Sequence, residues 1–375
     1  MAEHVDVLIL GGGVIGLTTA WFLAEAGVRV ALADKDDFGR QASWAGAGIL
    51  SPADLGRART AHEQLHARSL AMYPDLSRTL REQTGIDNGY RVCGGLELFL
   101  SAEDESSDEW RGEGVAVREM KGDELHRHYP YLARRLDRAS FLPDMAQVRN
   151  PRHVKALQAA CAARGVSMRP HCPVHRLIRN GERIDGVETE QGRLTARRYL
   201  IAAGAWTESL LEPFGFRPGI RPVRGQIALL NTGACDMRPV LLHGKRYLVP
   251  RGDGRVLIGS TEEDAGFEAR TTAAAIADLL EFATSIVPEL ARAEVERCWA
   301  GLRPGSPDGK PFLGVVPGVD NLFVAAGHYR AGIQLSPATA LVMKELLLDE
   351  KPTIPLEDFR LDRPPRPPAR TAFRS

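Results

Sequence analysis

The sequence predicts an α/β protein, in which a Rossmann-type dinucleotide-binding domain is interleaved with a mixed-sheet α+β domain. Three observations predict it. Val5 to Leu10 is a short apolar run that feeds Gly11-Gly12-Gly13-Val14-Ile15-Gly16. A second apolar run, Val28 to Ala33, ends at the acid Asp34. Further Gly-rich, nucleotide-type segments recur in the middle and near the end of the chain, with strand-rich stretches between them.

Each element has its own signal. Val5 to Leu10 is the first strand. A helix is expected over about Gly13 to Ala26, where Ile15, Leu17, Ala20, Trp21, Leu23 and Ala24 give a largely apolar surface and Gly27 suits the C-terminal cap. With Val28 to Ala33 this makes a β-α-β unit, and hence a parallel pair with a right-handed crossover. Residues 60 to 85 read as a helix and residues 90 to 100 as a strand pair around Gly94-Gly95. Ser101 to Trp110 reads as a surface loop or helix start, and His153 to Arg164 as a helix after Pro151. Arg198 to Ala203 is a buried strand that turns at Gly204, and Ile220 to Gly259 is strand-rich. Thr271 to Val287 is a helix, Asn321 to Ala326 a strand, and Gly332 to Leu348 a helix with Pro337 near its start. The tail containing Arg363-Pro364-Pro365-Arg366-Pro367-Pro368 is expected to be extended or disordered.

Bulk properties narrow the function. A chain of 375 residues can bury a large core and hold two domains. Its 48 basic and 48 acidic residues balance, which disfavours nucleic acid or an anionic membrane as main partner. The five cysteines are scattered, with no Cys-x-x-Cys, so a reducing compartment and no zinc ribbon are expected. The chain enters a strand at Val5 and has no run long enough to span a bilayer, so a soluble, cytoplasmic protein is expected. His62 with His66, and His171 with His175, have helical metal-pair spacing but no third ligand nearby. They read as solvent-facing, and no metal is expected. Without a Gly-x-Ser-x-Gly elbow, a serine hydrolase is excluded.

The glycine loop has a physical reading. Gly11 permits the tight turn, Gly13 lets the backbone approach a pyrophosphate, and Gly16 allows close helix–strand packing. The helix N-terminus offers N–H groups and partial positive charge to the phosphates. Asp34 stands where a carboxylate would take adenosine ribose hydroxyls. This motif alone does not choose between FAD and NAD.

Further segments make the choice. They are Gln41-Ala42-Ser43-Trp44-Ala45-Gly46-Ala47-Gly48-Ile49-Leu50, Leu200-Ile201-Ala202-Ala203-Gly204-Ala205-Trp206, Arg224-Gly225-Gln226, Tyr247-Leu248-Val249-Pro250-Arg251, Gly301-Leu302-Arg303-Pro304 and Gly327-His328-Tyr329-Arg330-Ala331-Gly332-Ile333. In order and spacing the chain resembles the D-amino-acid-oxidase-like flavoproteins, and within them the glycine oxidase branch, over nearly its whole length. The resemblance implies an FAD-binding domain of residues 1–85, 150–218 and 300–362. Residues 86–149 and 219–299 would form the substrate-binding domain, and 363–375 the Pro-rich tail. It implies FAD contacts from Gly11, Gly13, Val14, Ile15, Gly16, Asp34, Lys35, Ala42, Ser43, Ala47, Gly48, Ile49, Val174, Gly204, His328, Tyr329, Arg330, Ala331, Gly332, Ile333 and Gln334. Val174 would touch the adenine half. The helix from Gly332 would aim its positive end at the pyrimidine side of the ring. No histidine stands in Trp44-Ala45-Gly46 and no cysteine at Gly301, so noncovalent FAD is implied.

By the same resemblance Arg303 and Tyr247 would bind a substrate carboxylate, with Arg330 as a second pocket arginine. Catalysis would need no acid–base residue, only alignment of a neutral amine's Cα–H for hydride transfer to the flavin. The implied substrate is glycine or a similar small amine, with sarcosine and D-alanine as candidates. The implied products are an imine, then glyoxylate and ammonia, with O2 reduced to hydrogen peroxide. A role in thiamine thiazole synthesis and a tetrameric homo-oligomer are implied likewise. The alternative is a D-amino-acid or glycine dehydrogenase that hands electrons to a quinone or partner subunit. One departure stands out. Where the family often has an apolar residue, Gly259-Ser260-Thr261 is followed by Glu262, which reads as part of an acidic solvent-facing turn or as a pocket residue that alters substrate preference.

Overall fold

The computed structural model describes residues 5–100, 108–233 and 236–364. Two large sheets organise it. The first has six strands, in the order Phe312–Val315, Leu322–Ala326, Ala196–Ile201, Val5–Leu10, Val30–Ala33 and Ser167–Arg169. All are parallel except the edge strand Phe312–Val315. The central strand Val5–Leu10 is almost wholly buried and its side chains enter two separate apolar clusters, one on each face. This explains why it reads as a continuous apolar run rather than an alternating one.

The helix Val14–Glu25 leaves the glycine loop and packs against Asn150–Ala163 and Gly332–Leu347. Burial among neighbours on several sides requires the all-round apolar surface that the sequence shows. It ends as Gly27 predicts. Gly27 takes φ 78°, its N–H reaches Ala24 O at 3.0 Å, and Val28 N–H reaches Leu23 O at 3.0 Å, a Schellman cap. Helix Ala61–Thr84 opens with a capping box between Thr60 and Glu63 and closes at the left-handed Gly85.

The second sheet has eight strands, in the order Glu294–Gly305, Arg221–Asn231, Arg255–Gly259, Arg246–Pro250, Val240–His243, Gly95–Phe99, Arg138–Leu142 and Arg118–Lys121. It is mixed. Val240–His243 and Gly95–Phe99 run parallel and their neighbours antiparallel. Helix Ala273–Ile286 covers part of one face.

Several expectations are corrected. The two strands near Gly94-Gly95 do not pair with each other: Arg91–Val92 joins Ala146–Gln147 in a small separate sheet, while Gly95–Phe99 joins the eight-stranded one. Pro151 lies inside the first turn of its helix, which starts at Asn150. Pro337 lies near the start of Gly332–Leu347, as expected, but past its first turn, inside the helix. The carbonyl it leaves without an N–H partner, that of Ile333, instead accepts the hydroxyls of Tyr73 and Ser336. Histidine 66 is buried rather than solvent-facing, with Nε2 3.1 Å from the Ser51 carbonyl, whereas His171 and His175 are exposed. A three-stranded antiparallel meander over Val174–Asn180, Arg183–Thr189 and Gly192–Leu194 was not anticipated. Of Ser101–Trp110, only the part from Asp108 lies among the described residues, where a short helix Asp108–Gly112 begins. Residues 365–375 of the tail and Cys235 lie outside them.

Candidate active site

A single cavity runs from the glycine loop to Arg303. It is lined by every candidate residue read from the sequence except Gly16. Gly16 has the packing role expected of the third glycine. A Cβ there would stand 1.9 Å from the carbonyl oxygen of Gly11, so a side chain would push helix and loop apart.

At one end the loop is built for phosphate. Gly11 takes φ 115°, and a Cβ there would lie 2.3 Å from the Ala202 carbonyl oxygen. The helix from Val14 has no side-chain cap and no acid in its first turn, leaving its positive end open. The Val14 N–H donates to Ser43 Oγ at 2.9 Å, which ties the second small-residue segment to the loop. Asp34 ends its strand with Oδ2 accepting the Gly12 N–H at 2.6 Å and Oδ1 accepting the Asp36 N–H at 2.9 Å. Burial pushes its pKa up, against those two bonds. A carboxylate has about four lone-pair sites, so capacity for ribose hydroxyls remains. Lys35 places Nζ 4.0 Å over the Trp206 ring at the rim.

The Ala42–Gly48 segment is held from behind by residues that the sequence reading missed. Asn150 Nδ2 donates to the Ser43 carbonyl at 3.0 Å. A side chain at Gly48, which takes φ 71°, would strike Val148 O and Asn150 Oδ1. Arg251 Nη2 donates to the Ala47 carbonyl at 2.7 Å, and its Nη1 to Gln147 Oε1 and the Val148 carbonyl. Burial, with Arg149 and Arg91 nearby, lowers the Arg251 pKa to about 10. Trp299 Nε1 donates to the Ala45 carbonyl at 3.0 Å. Gly301 faces Ala45 so closely that a Cβ on it would lie 2.5 Å from Ala45 Cβ.

At the other end, the second sheet supplies the polar groups. Arg303 stands on Glu294–Gly305, opposite Val223. Its Nη2 donates to Ser260 Oγ at 2.6 Å and its Nη1 to the Thr261 carbonyl at 3.1 Å. Both partners are neutral, and among the described residues no carboxylate forms an ion pair with it. Burial lowers its pKa, which the nearby Tyr247 counters and Arg330 reinforces. Tyr247 is buried on Arg246–Pro250 opposite Gly259, with its ring where a Gly259 side chain would be.

The segment His328 to Gln334 closes the cavity. Tyr329 takes φ 49°, an uncommon conformation for a non-glycine residue and one that concentrates at functional sites. His328 is buried, with Nε2 3.1 Å from Thr339 Oγ1, and burial depresses its pKa to about 3, so it is neutral. Helix Gly332–Leu347 begins without a side-chain cap or an acid in its first turn. Gln334 Oε1 accepts the Ser51 N–H at 2.9 Å and so ties this turn to the small-residue segment. Arg330 lines the cavity, but Nη2 donates to the Lys245 carbonyl at 2.9 Å and Nη1 lies 3.6 Å from Glu262 Oε2. Glu262 therefore turns toward the pocket arginine rather than only to solvent.

The cavity suits an extended dinucleotide. It joins an uncapped helix end, a braced ribose-type acid, a glycine- and alanine-lined segment and a second uncapped helix end within one lining. A profile of the family described as FAD dependent oxidoreductase matches residues 6–346. A glycine oxidase of Pseudomonas aeruginosa is 38% identical over 94% of this chain and 97% of its own. The crystal structure of glycine oxidase from Geobacillus kaustophilus superposes with a TM-score of 0.91 at 33% identity, over 96% of this chain and 99% of that one. That of iminodiacetate oxidase from Chelativorans sp. BNC1 gives 0.86 at 28%, over 95% and 98%. Loop geometry, cavity lining and likeness over nearly the full length agree, and the chain belongs to the FAD-dependent oxidoreductases of the D-amino-acid-oxidase type.

Proposed function

We propose that this chain oxidises glycine or a similarly small amine, such as sarcosine or D-alanine, at noncovalently held FAD. The product is an imine that hydrolyses, for glycine, to glyoxylate and ammonia, and O2 takes the electrons to give hydrogen peroxide. The observation that carries this is Arg303, an enclosed guanidinium in the cavity whose hydrogen-bond partners are both neutral. A carboxylate is the complement such a fork lacks.

FAD supplies the hydride acceptor when bound. This chain's residues do the positioning. Arg303 and Tyr247 hold the substrate carboxylate and thereby fix the Cα–H in one orientation. The uncapped N-terminus at Gly332 favours negative charge developing ahead of it. His328, neutral and bonded to Thr339, moves no proton. The hydride leaves only from a neutral amine, so turnover rises toward alkaline pH. For the domains, we take the last boundary after Gly305, so that the strand carrying Arg303 belongs whole to the substrate domain. The free thiols Cys93, Cys161, Cys172 and Cys298 support a reducing, cytoplasmic setting. A homo-oligomer belongs to the same reading by resemblance.

The test is oxygen consumption and peroxide release by the purified holoenzyme with glycine, sarcosine and D-alanine in air. Stoichiometric peroxide with at least one amine supports the oxidase. Reduction of an added quinone without peroxide favours the dehydrogenase, and inertness toward all three amines overturns the reading.

A further inference from the structure

We propose that Glu262 sets the charge selectivity of the substrate pocket. By engaging Arg330 it leaves Arg303 as the guanidinium open to a carboxylate, so that amines bearing one carboxylate are accepted and those bearing a second anionic group are disfavoured. This rests on the amino-acid-oxidase reading above.

One turn partitions the two pocket arginines. Ser260 and Thr261 give Arg303 neutral acceptors, at 2.6 and 3.1 Å. The next residue, Glu262, gives Arg330 an acid, with Oε2 3.6 Å from Nη1. Arg330 is nearly enclosed, with 9% of its side chain exposed, and its other terminal nitrogen is committed to the Lys245 carbonyl at 2.9 Å. The Glu262 carboxylate also takes Lys245 Nζ at 2.9 Å and hydrogen-bonds with Tyr329. It thus touches both Tyr329 and Arg330, which line the cavity. Burial would raise the Glu262 pKa, but the bonds from Tyr329 and Lys245 and the charge of Arg330 hold it below the usual carboxylate value, so the acid stays ionised.

The charge balance follows. Lys245 sits in solvent, with 58% of its side chain exposed. Arg303 and Arg330 are the enclosed cations, and Glu262, with 32% of its side chain exposed, is the acid set against them at the pocket edge, so the three together carry one net positive charge. An amino acid with a neutral amine and one carboxylate neutralises that charge at Arg303. A second carboxylate would find Arg330 already paired and would face the Glu262 carboxylate. Replacing Glu262 with glutamine keeps the shape, removes the repulsion and frees Arg330 for a second anionic group.

Sarcosine and iminodiacetate test this. Both are N-substituted glycines, one with a methyl and one with a carboxymethyl group. The ratio of kcat/KM for iminodiacetate to that for sarcosine is measured on the holoenzyme, for the native chain, Glu262→Gln and Glu262→Asp. In Glu262→Gln the ratio is expected to rise roughly tenfold, mainly through KM for iminodiacetate, and to be damped by salt. In Glu262→Asp, which keeps the charge, it should stay near the native value. The flavin absorbance change on binding glycolate and tartronate, a monoanion and a dianion, gives a readout without turnover and should show the same shift. An unchanged ratio in Glu262→Gln, or equal losses for both substrates, overturns the proposal. If no variant oxidises any amine, the amino-acid-oxidase reading fails by itself. The anion titration then decides selectivity: a gain confined to tartronate supports the role of Glu262, and no gain overturns it.

Discussion

Gly225 and Arg303 lie on adjacent strands, and a Cβ added to Gly225 would stand 2.2 Å from Nη2 of Arg303. The guanidinium therefore occupies the space that a side chain on the neighbouring strand would take. The atom in the way is the far end of a flexible chain, so Gly225→Ala should fold and bind FAD but displace the guanidinium. We expect KM for glycine to rise roughly tenfold or more, with flavin content unchanged. A native KM in this variant would show that the position of Arg303 does not matter.

Arg303→Lys separates charge from fork geometry. Lysine keeps a cation but cannot offer two parallel N–H donors. The loss in kcat/KM for glycine is expected at roughly 10 to 100-fold, and larger still for Arg303→Ala. Steady-state kinetics with equal flavin loading checks this. Equal activity of the lysine variant and the native enzyme would contradict bidentate binding.

Asp34 braces the phosphate loop and faces the ribose position at once, since Oδ2 takes the Gly12 N–H at 2.6 Å. Asp34→Ala leaves that N–H without its acceptor and removes the ribose partner. FAD affinity, read by fluorescence titration of the apoprotein, should weaken by roughly 10 to 100-fold. Unchanged affinity would remove Asp34 from the cofactor site.

Acid should destabilise the fold through two buried histidines. Burial depresses His153 to about 4 and His328 to about 3, whereas an unfolded histidine titrates near ~6.5. Between those values the unfolded chain binds protons that the folded chain refuses. Their neutral-form stability is therefore fully present above ~6.5 and is lost as pH falls toward 4. The urea midpoint followed from pH 7 to 4 should drop, with a shallower slope in His153→Gln. An identical slope in that variant would exclude His153 as a source.

How much of this was legible in the sequence differs by kind of contact. Local signals read true: Gly11, Gly16 and Gly27 each occupy a position that a side chain or a negative φ would spoil. The meander over residues 174–194 was also legible and was overlooked. Asn180 pairs with Arg183, so the two-residue loop is Gly181-Glu182, and Gly181 at φ 59° is the glycine-first signal of such a hairpin. What holds the site from behind was not legible. Asn150 reaches the Ser43 carbonyl across 107 residues, and Arg251 reaches that of Ala47 across 204. No local pattern encodes such contacts, because both side chains satisfy carbonyls that only the folded chain brings near. Burial of His66 has the same origin: its partner, the Ser51 carbonyl, lies in a preceding loop rather than on its own helix.

The central claim is that a small amino acid bound at Arg303 reduces FAD in this cavity. The most direct measurement mixes the purified holoenzyme with glycine without oxygen, follows the oxidised-flavin band near about 450 nm, and then admits air. The account predicts bleaching that saturates with glycine, is abolished in Arg303→Ala, and reverses in air with release of peroxide. A flavin band that neither glycine, sarcosine nor D-alanine bleaches would contradict it.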